Sequence, residues 1–127
     1  MNGFLIVFLG AGVGGALRHG VNLSCVRLCG PEFPWGTIFI NIAGSLAMGL
    51  AAGWFAARAG HTWAQPARLF LTTGVLGGFT TFSAFSLDAV SLWERGSQGA
   101  AAGYVVASVF CALAALVAGL ALARSFT

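Results

Sequence analysis

Lysine is absent from this 127-residue chain, and charge of either sign is scarce: six arginines stand against Glu32, Asp88 and Glu94, so that charged residues make up 7% of the sequence. The arginines, at positions 18, 27, 58, 68, 95 and 124, are scattered near the ends of apolar runs. They form no basic stripe of the kind that grips nucleic acid, which excludes that class of partner. Two histidines and three acids are too few and too dispersed to assemble a nucleophile with its base or a metal set, which argues against an enzyme. Cysteine is odd in number, and Cys25, Cys29 and Cys111 lie in or beside apolar segments without His or acidic residues at ligand spacing. They read as small packing residues. The apolar run at the N-terminus lacks the basic flank of a secretory signal, and it is expected to stay in the mature protein as a span.

What the chain has in excess is apolar surface: 58% of its residues are hydrophobic and its mean hydropathy is +0.90. A soluble fold of this size has no interior able to hide so much, so the chain is expected to be an all-α integral membrane protein. A helical span takes about 20 residues, which leaves room for four and for no separate soluble domain, hence a single four-helix domain over 1–127. The spans are expected from about Gly3 into the twenties, from Trp35 to Ala57, from Ala67 to Trp93 and from Gly99 to Ala123. Pro31, Glu32 and Pro34 mark the first connection, Gly60 to Pro66 the second, and Glu94 to Gly99 the third. Trp35, Trp54, Trp63 and Trp93 fall near span ends, where an indole prefers the headgroup region.

With an even number of spans the termini share one side with Arg58, Arg68 and Arg124, against Arg27 and Arg95 on the other. Since the asymmetry of basic residues sets orientation, a chain so balanced is expected to insert either way up and to pair as an antiparallel homodimer. Small residues at four-residue spacing, Gly10 with Gly14, Gly49 with Gly53, Gly74 with Gly78 and Gly99 with Gly103, allow helices to approach closely, most simply within the chain.

Polar residues inside these spans need a reason. Thr37, Asn41 and Ser45 recur every four residues and so share one face of span 2, as Tyr104 and Ser108 do on span 4. Either stripe alone reads as hydrogen-bonding glue between helices or as the lining of a pathway. Arg18, followed by His19 and Asn22, sits well inside span 1, where a guanidinium costs a few kcal/mol unless paired, solvated or reaching the interface. Its role is read as structural or vestibule-forming. In span 3 the run Gly74-Val-Leu-Gly-Gly-Phe-Thr-Thr-Phe-Ser-Ala-Phe-Ser86 is unsuited to a continuous helix. Gly77 and Gly78 remove side chains where the helix would be centred, and Thr80 or Thr81 can cap a new start. Such an interruption is tolerated in lipid only where protein buries it or a polar cavity takes it up, and it tips the two stripes toward a lined pathway. Beyond it Phe82 and Phe85 lie at i, i+3 with Ser83 and Ser86 nearby. The pair by spacing alone is core packing, although phenyl edges carry positive potential suited to an anion.

Taken together, Gly14-Gly-Ala-Leu-Arg18, Trp35-Gly-Thr37 with Asn41 and Gly44, Gly74 through Gly78, Thr80-Thr-Phe-Ser-Ala-Phe-Ser86, and Tyr104 with Ser108 resemble the Fluc (CrcB) fluoride channels over all the spans. The resemblance implies a dual-topology antiparallel homodimer in the cell (inner) membrane, with two pores that pass fluoride passively out of the cytoplasm. It implies a central structural sodium ion held by the backbone carbonyls of Gly77 and Thr80 from both subunits. The fluoride pathway would draw on Asn41 as an amide donor, on the ring edges of Phe82 and Phe85, and on Thr37, Ser83, Tyr104 and Ser108. Ala84 and Asp88 depart from the threonine and glutamate common in the family, and the departure at Asp88 leaves that carboxylate without an assigned partner. The alternatives are a small dual-topology proton-coupled drug exporter, which would need a buried acid that span 1 lacks, and a non-transporting scaffold subunit, which would leave the break unexplained.

Overall fold

The computed structural model describes residues 2–127, and four of its helical stretches are long and apolar enough to cross a membrane. Helix α1 spans Gly3–Cys29 and α2 spans Trp35–Ala56. The third span, Ala64–Glu94, is composite: α3 (Ala64–Arg68), a π-helical stretch Leu69–Leu76, α4 (Gly77–Phe79) and, past a break, α5 (Phe82–Glu94). Helix α6 (Gln98–Ser125) closes the bundle. The chain is thus an all-α, multi-pass membrane protein with a broken third span, and the expected spans hold to within a few residues at each end. No strand occurs among the described residues.

The ends of the helices follow local chemistry. Asn2 caps α1, its Oδ1 accepting the Phe4 N–H at 2.7 Å. Gly30 ends α1 at φ 81° and Gly96 turns the chain between α5 and α6 at φ 85°, left-handed conformations that other residues enter only at a cost. At the end of α2, Arg58 donates to the Trp54 carbonyl at 3.0 Å and lies 4.0 Å over the Trp54 ring, a cation placed at a helix C-terminus. At the opposite end Arg95 donates to the Glu32 carbonyl at 2.7 Å, tying the first and third connections together on one side.

Helices α2 and α6 form one packed pair and α1 with the first half of the third span forms another, both built on missing side chains. A Cβ on Gly49 would strike the Leu116 carbonyl and one on Gly119 the Leu46 carbonyl, while Gly14 meets the Val75 carbonyl and Gly78 the backbone of Ala11. Close approach of this kind gains dispersion contacts, the main attraction available between helices in lipid. Three of the four glycine pairs therefore serve packing within the chain. The fourth does not: Gly99 and Gly103 face open space.

One small core, Ala51, Phe55, Ala64 and Leu76, sits toward the α2–α3 connection; another, Phe85, Leu92, Ala101 and Tyr104, lies on the other side of the break. Between them the third span is interrupted.

Candidate functional site: the helix break and its cavities

The break falls at Thr80 and Thr81, not at the glycines. Gly77 keeps helical angles, φ −63° and ψ −38°, whereas Thr80 takes ψ 157° and Thr81 φ −154° with ψ 117°. Gly78 is needed for contact with α1, and the threonines make the turn because their hydroxyls satisfy backbone groups that the break orphans. Thr80 sends both its N–H and its Oγ1–H to the Leu76 carbonyl at 3.0 Å, closing the first half-helix. Thr81 Oγ1 accepts the Ala84 N–H at 3.1 Å and so caps α5 as expected. The π-helical stretch that precedes the break has no signal in the sequence; such wide turns recur at functional sites.

Asn41 of α2 reaches this point. Its Oδ1 accepts the Thr81 N–H at 2.8 Å and its Nδ2 donates to the Thr81 carbonyl at 3.0 Å, which leaves one amide hydrogen for another acceptor. A cavity of about 300 Å³ opens beside the pair, lined by Asn41, Ser45, Thr80, Thr81, Phe82, Phe85 and Ser108 with an apolar wall of Val109, Ala112 and Leu113. Ser108, 5% exposed, has a buried Oγ with no hydrogen-bond partner. A buried hydroxyl left unpaired costs free energy, so this one is poised for an acceptor or donor that the chain itself does not supply. The rings of Phe82 and Phe85 stand 5.4 Å apart at 50°, and Phe85 lies 5.3 Å from the Tyr104 ring. Phe85 is buried at 8% exposure, but Phe82 is 78% exposed at the edge of the cavity.

The other residues singled out from the sequence lie elsewhere. Tyr104, 1% exposed, donates its hydroxyl to Asp88 Oδ2 at 3.1 Å, which supplies the partner that the sequence left unassigned for that carboxylate. Thr37, also buried, lines a second cavity of about 410 Å³ together with His19, Asn22, Cys25 and Asp88, under the connection that carries Pro31 and Pro34. Ser83 is exposed, with its Oγ 3.3 Å from Thr81 Oγ1, and does not line the break cavity. Arg18 is half-buried on α1 and lines neither cavity. Gly77 is exposed and Thr80 half-buried. Among the described residues no group of three His, Cys, Asp or Glu could hold a metal ion.

A polytopic helical membrane protein whose third span unwinds against an amide, two phenyl rings and an unpaired hydroxyl has the broken-helix construction that recurs in transporters and channels. Nothing in the cavity offers a nucleophile with a base. The chain belongs to the CrcB family: the model described as "CrcB-like protein, Camphor Resistance (CrcB)" matches residues 5–120. It is 63% identical over 122 residues, 96% of each chain, to the protein named fluoride-specific ion channel FluC in Methylobacterium nodulans. The protein of the same name in Rhodopseudomonas palustris is 56% identical over 98% of both chains. That of Beijerinckia indica is 53% identical over the whole length of both.

Proposed function

We propose that the chain is a passive fluoride-selective ion channel that lets fluoride leave the cytoplasm through the cell (inner) membrane. The observation that carries this reading is the buried, unpartnered Ser108 hydroxyl in the cavity shared by Asn41, Phe82 and Phe85. It is supported by relatives that carry the name fluoride-specific ion channel over essentially their full length. Fluoride is small and strongly hydrated, so its path must replace water with several modest donors and release the ion again. One free Asn41 amide hydrogen, the Ser108 hydroxyl and two ring edges meet that need without a fixed cation that would trap the ion. Nothing favours proton-coupled drug export, because Asp88 is engaged by Tyr104 and Glu32 and Glu94 are exposed at the ends of spans.

The working unit in this reading is an antiparallel homodimer with two pores. A Phe82 ring 78% exposed beside the cavity and an exposed Gly77 at the break are features that a second, inverted copy would cover. A central sodium ion fits the donor chemistry. The Thr81 N–H, which in a continuous helix would bond the Gly77 carbonyl, is turned to Asn41, so a hard carbonyl oxygen is released at the break. The Gly77 and Thr80 carbonyls of two protomers would hold the ion, which would fix the crossing of the third spans.

The test is efflux from liposomes loaded with fluoride, with potassium and an ionophore relieving the charge that builds up. Fluoride should leave and chloride should not. Phe85→Ile or Phe82→Ile should slow fluoride loss at least tenfold while dimers still elute normally. Undiminished flux in both variants would refute the assignment of the rings.

A further inference from the structure

We propose that Asn41 is a positioning residue that fixes the broken turn of the third span by binding the main chain of Thr81, in addition to any contact it makes with a passing ion. Thr81 is 7% exposed, and both its N–H and its carbonyl need partners. One side chain, forty residues earlier in the sequence, supplies both: Oδ1 takes the N–H at 2.8 Å and Nδ2 gives to the carbonyl at 3.0 Å. The two bonds close a ring like that between neighbouring β-strands, and they require an acceptor and a donor on adjacent atoms, which a primary amide provides. Glycine at position 44 lets α2 come this near, since a Cβ there would run into the Thr80 methyl group. The Thr80 hydroxyl on the Leu76 carbonyl and the Thr81 cap on Ala84 keep these two residues extended, so a Thr81 N–H deprived of Asn41 is left to the adjoining cavity. Asn41 therefore acts through Thr81, and the position of Phe82 and of the α5 cap depends on it.

Amide hydrogen exchange on the full-length, isotope-labelled protein in lipid nanodiscs tests this without reference to any transported ion. The Thr80 amide, bonded at 3.0 Å to the Leu76 carbonyl, serves as the internal reference. Asn41→Ala should speed exchange at Thr81 about tenfold relative to Thr80, the scale set by losing a buried hydrogen bond. Asn41→Asp once protonated again presents an acceptor and a donor, so Thr81 exchange relative to Thr80 should return to within about twofold of the parent as the pH is lowered. If Asn41→Ala yields no folded protein, Asn41→Ser, too short to span the gap, replaces it with the same expectation. Thr81 exchange unchanged in the shortened variant, or still as fast in protonated Asn41→Asp at low pH, overturns the clamp. The inference rests on the fluoride reading only for its transport arm, where Asn41→Ala should also reduce efflux. Phe82→Ile separates the two: it should lower efflux and leave Thr81 protection as it is, so failure of the channel reading and failure of the clamp give different results.

Discussion

Side chains at the break divide into those that complete the protein and those left with something to give. Thr80, Thr81, Asp88 and Tyr104 are spent on hydrogen bonds within the chain, whereas Ser108 Oγ is buried and bonds nothing. The difference yields an expected outcome. Ser108→Ala removes no bond from the fold, so thermal stability should stay within about 0.5 kcal/mol, while fluoride efflux should fall about tenfold because a desolvated donor is lost from the path. A thermal-shift assay run beside the liposome assay checks both, and a large loss of stability would mean that the hydroxyl has a structural partner after all. At this scale much was legible in advance, because a polar residue inside a lipid-spanning helix demands a reason. The period-four stripes led to Asn41 and Ser108. What could not be read was their division of labour: that Asn41 spends itself on Thr81, and that Tyr104 answers Asp88, depends on which faces of α2, α5 and α6 meet.

At the scale of the helices, the same residue type does opposite things according to what lies across from it. Gly49 and Gly119 face each other across α2 and α6, where any added carbon meets backbone that cannot move aside, while Gly103 on α6 faces open space. Gly49→Ala should therefore cost about 1–3 kcal/mol through overpacking. Gly103→Ala should be neutral or gain up to about 1 kcal/mol from helix propensity. Denaturation in mild detergent, followed by circular dichroism, measures the contrast, and equal effects at the two positions would contradict the packing described. The third span teaches the complementary lesson. Sequence reasoning read Gly77 and Gly78 as the place where the helix fails, yet Gly77 stays helical and Gly78 is consumed in contact with Ala11. The turn goes to Thr80 and Thr81, whose hydroxyls can close one half-helix and cap the next. The π-helical stretch from Leu69 to Leu76 had no local cue in the sequence.

For the whole molecule, a lone protomer leaves large apolar side chains uncovered on every helix that spans, and Phe82 is exposed beside the cavity it helps to line. Lipid covers most of that surface, and an inverted copy is proposed to cover the part around the break. The charge distribution sharpens the expectation for insertion: three arginines near the termini oppose two at the other end, little bias in either direction. A reporter fused to the C-terminus should be found on both faces of the membrane in comparable amounts, and cysteines introduced at Gly77 should cross-link two chains. A reporter confined to one face would count against dual insertion. Composition and period by themselves determined the solvent, the number of spans, the polar faces and the need for an interruption, because the bilayer penalises each misplaced charge or unpaired peptide group locally and heavily. Only the tertiary structure decided where the interruption falls, which hydroxyl stays unpaired and which amide holds the turn, because those outcomes depend on residues forty or more positions apart brought within hydrogen-bonding reach by helices whose glycines permit the contact.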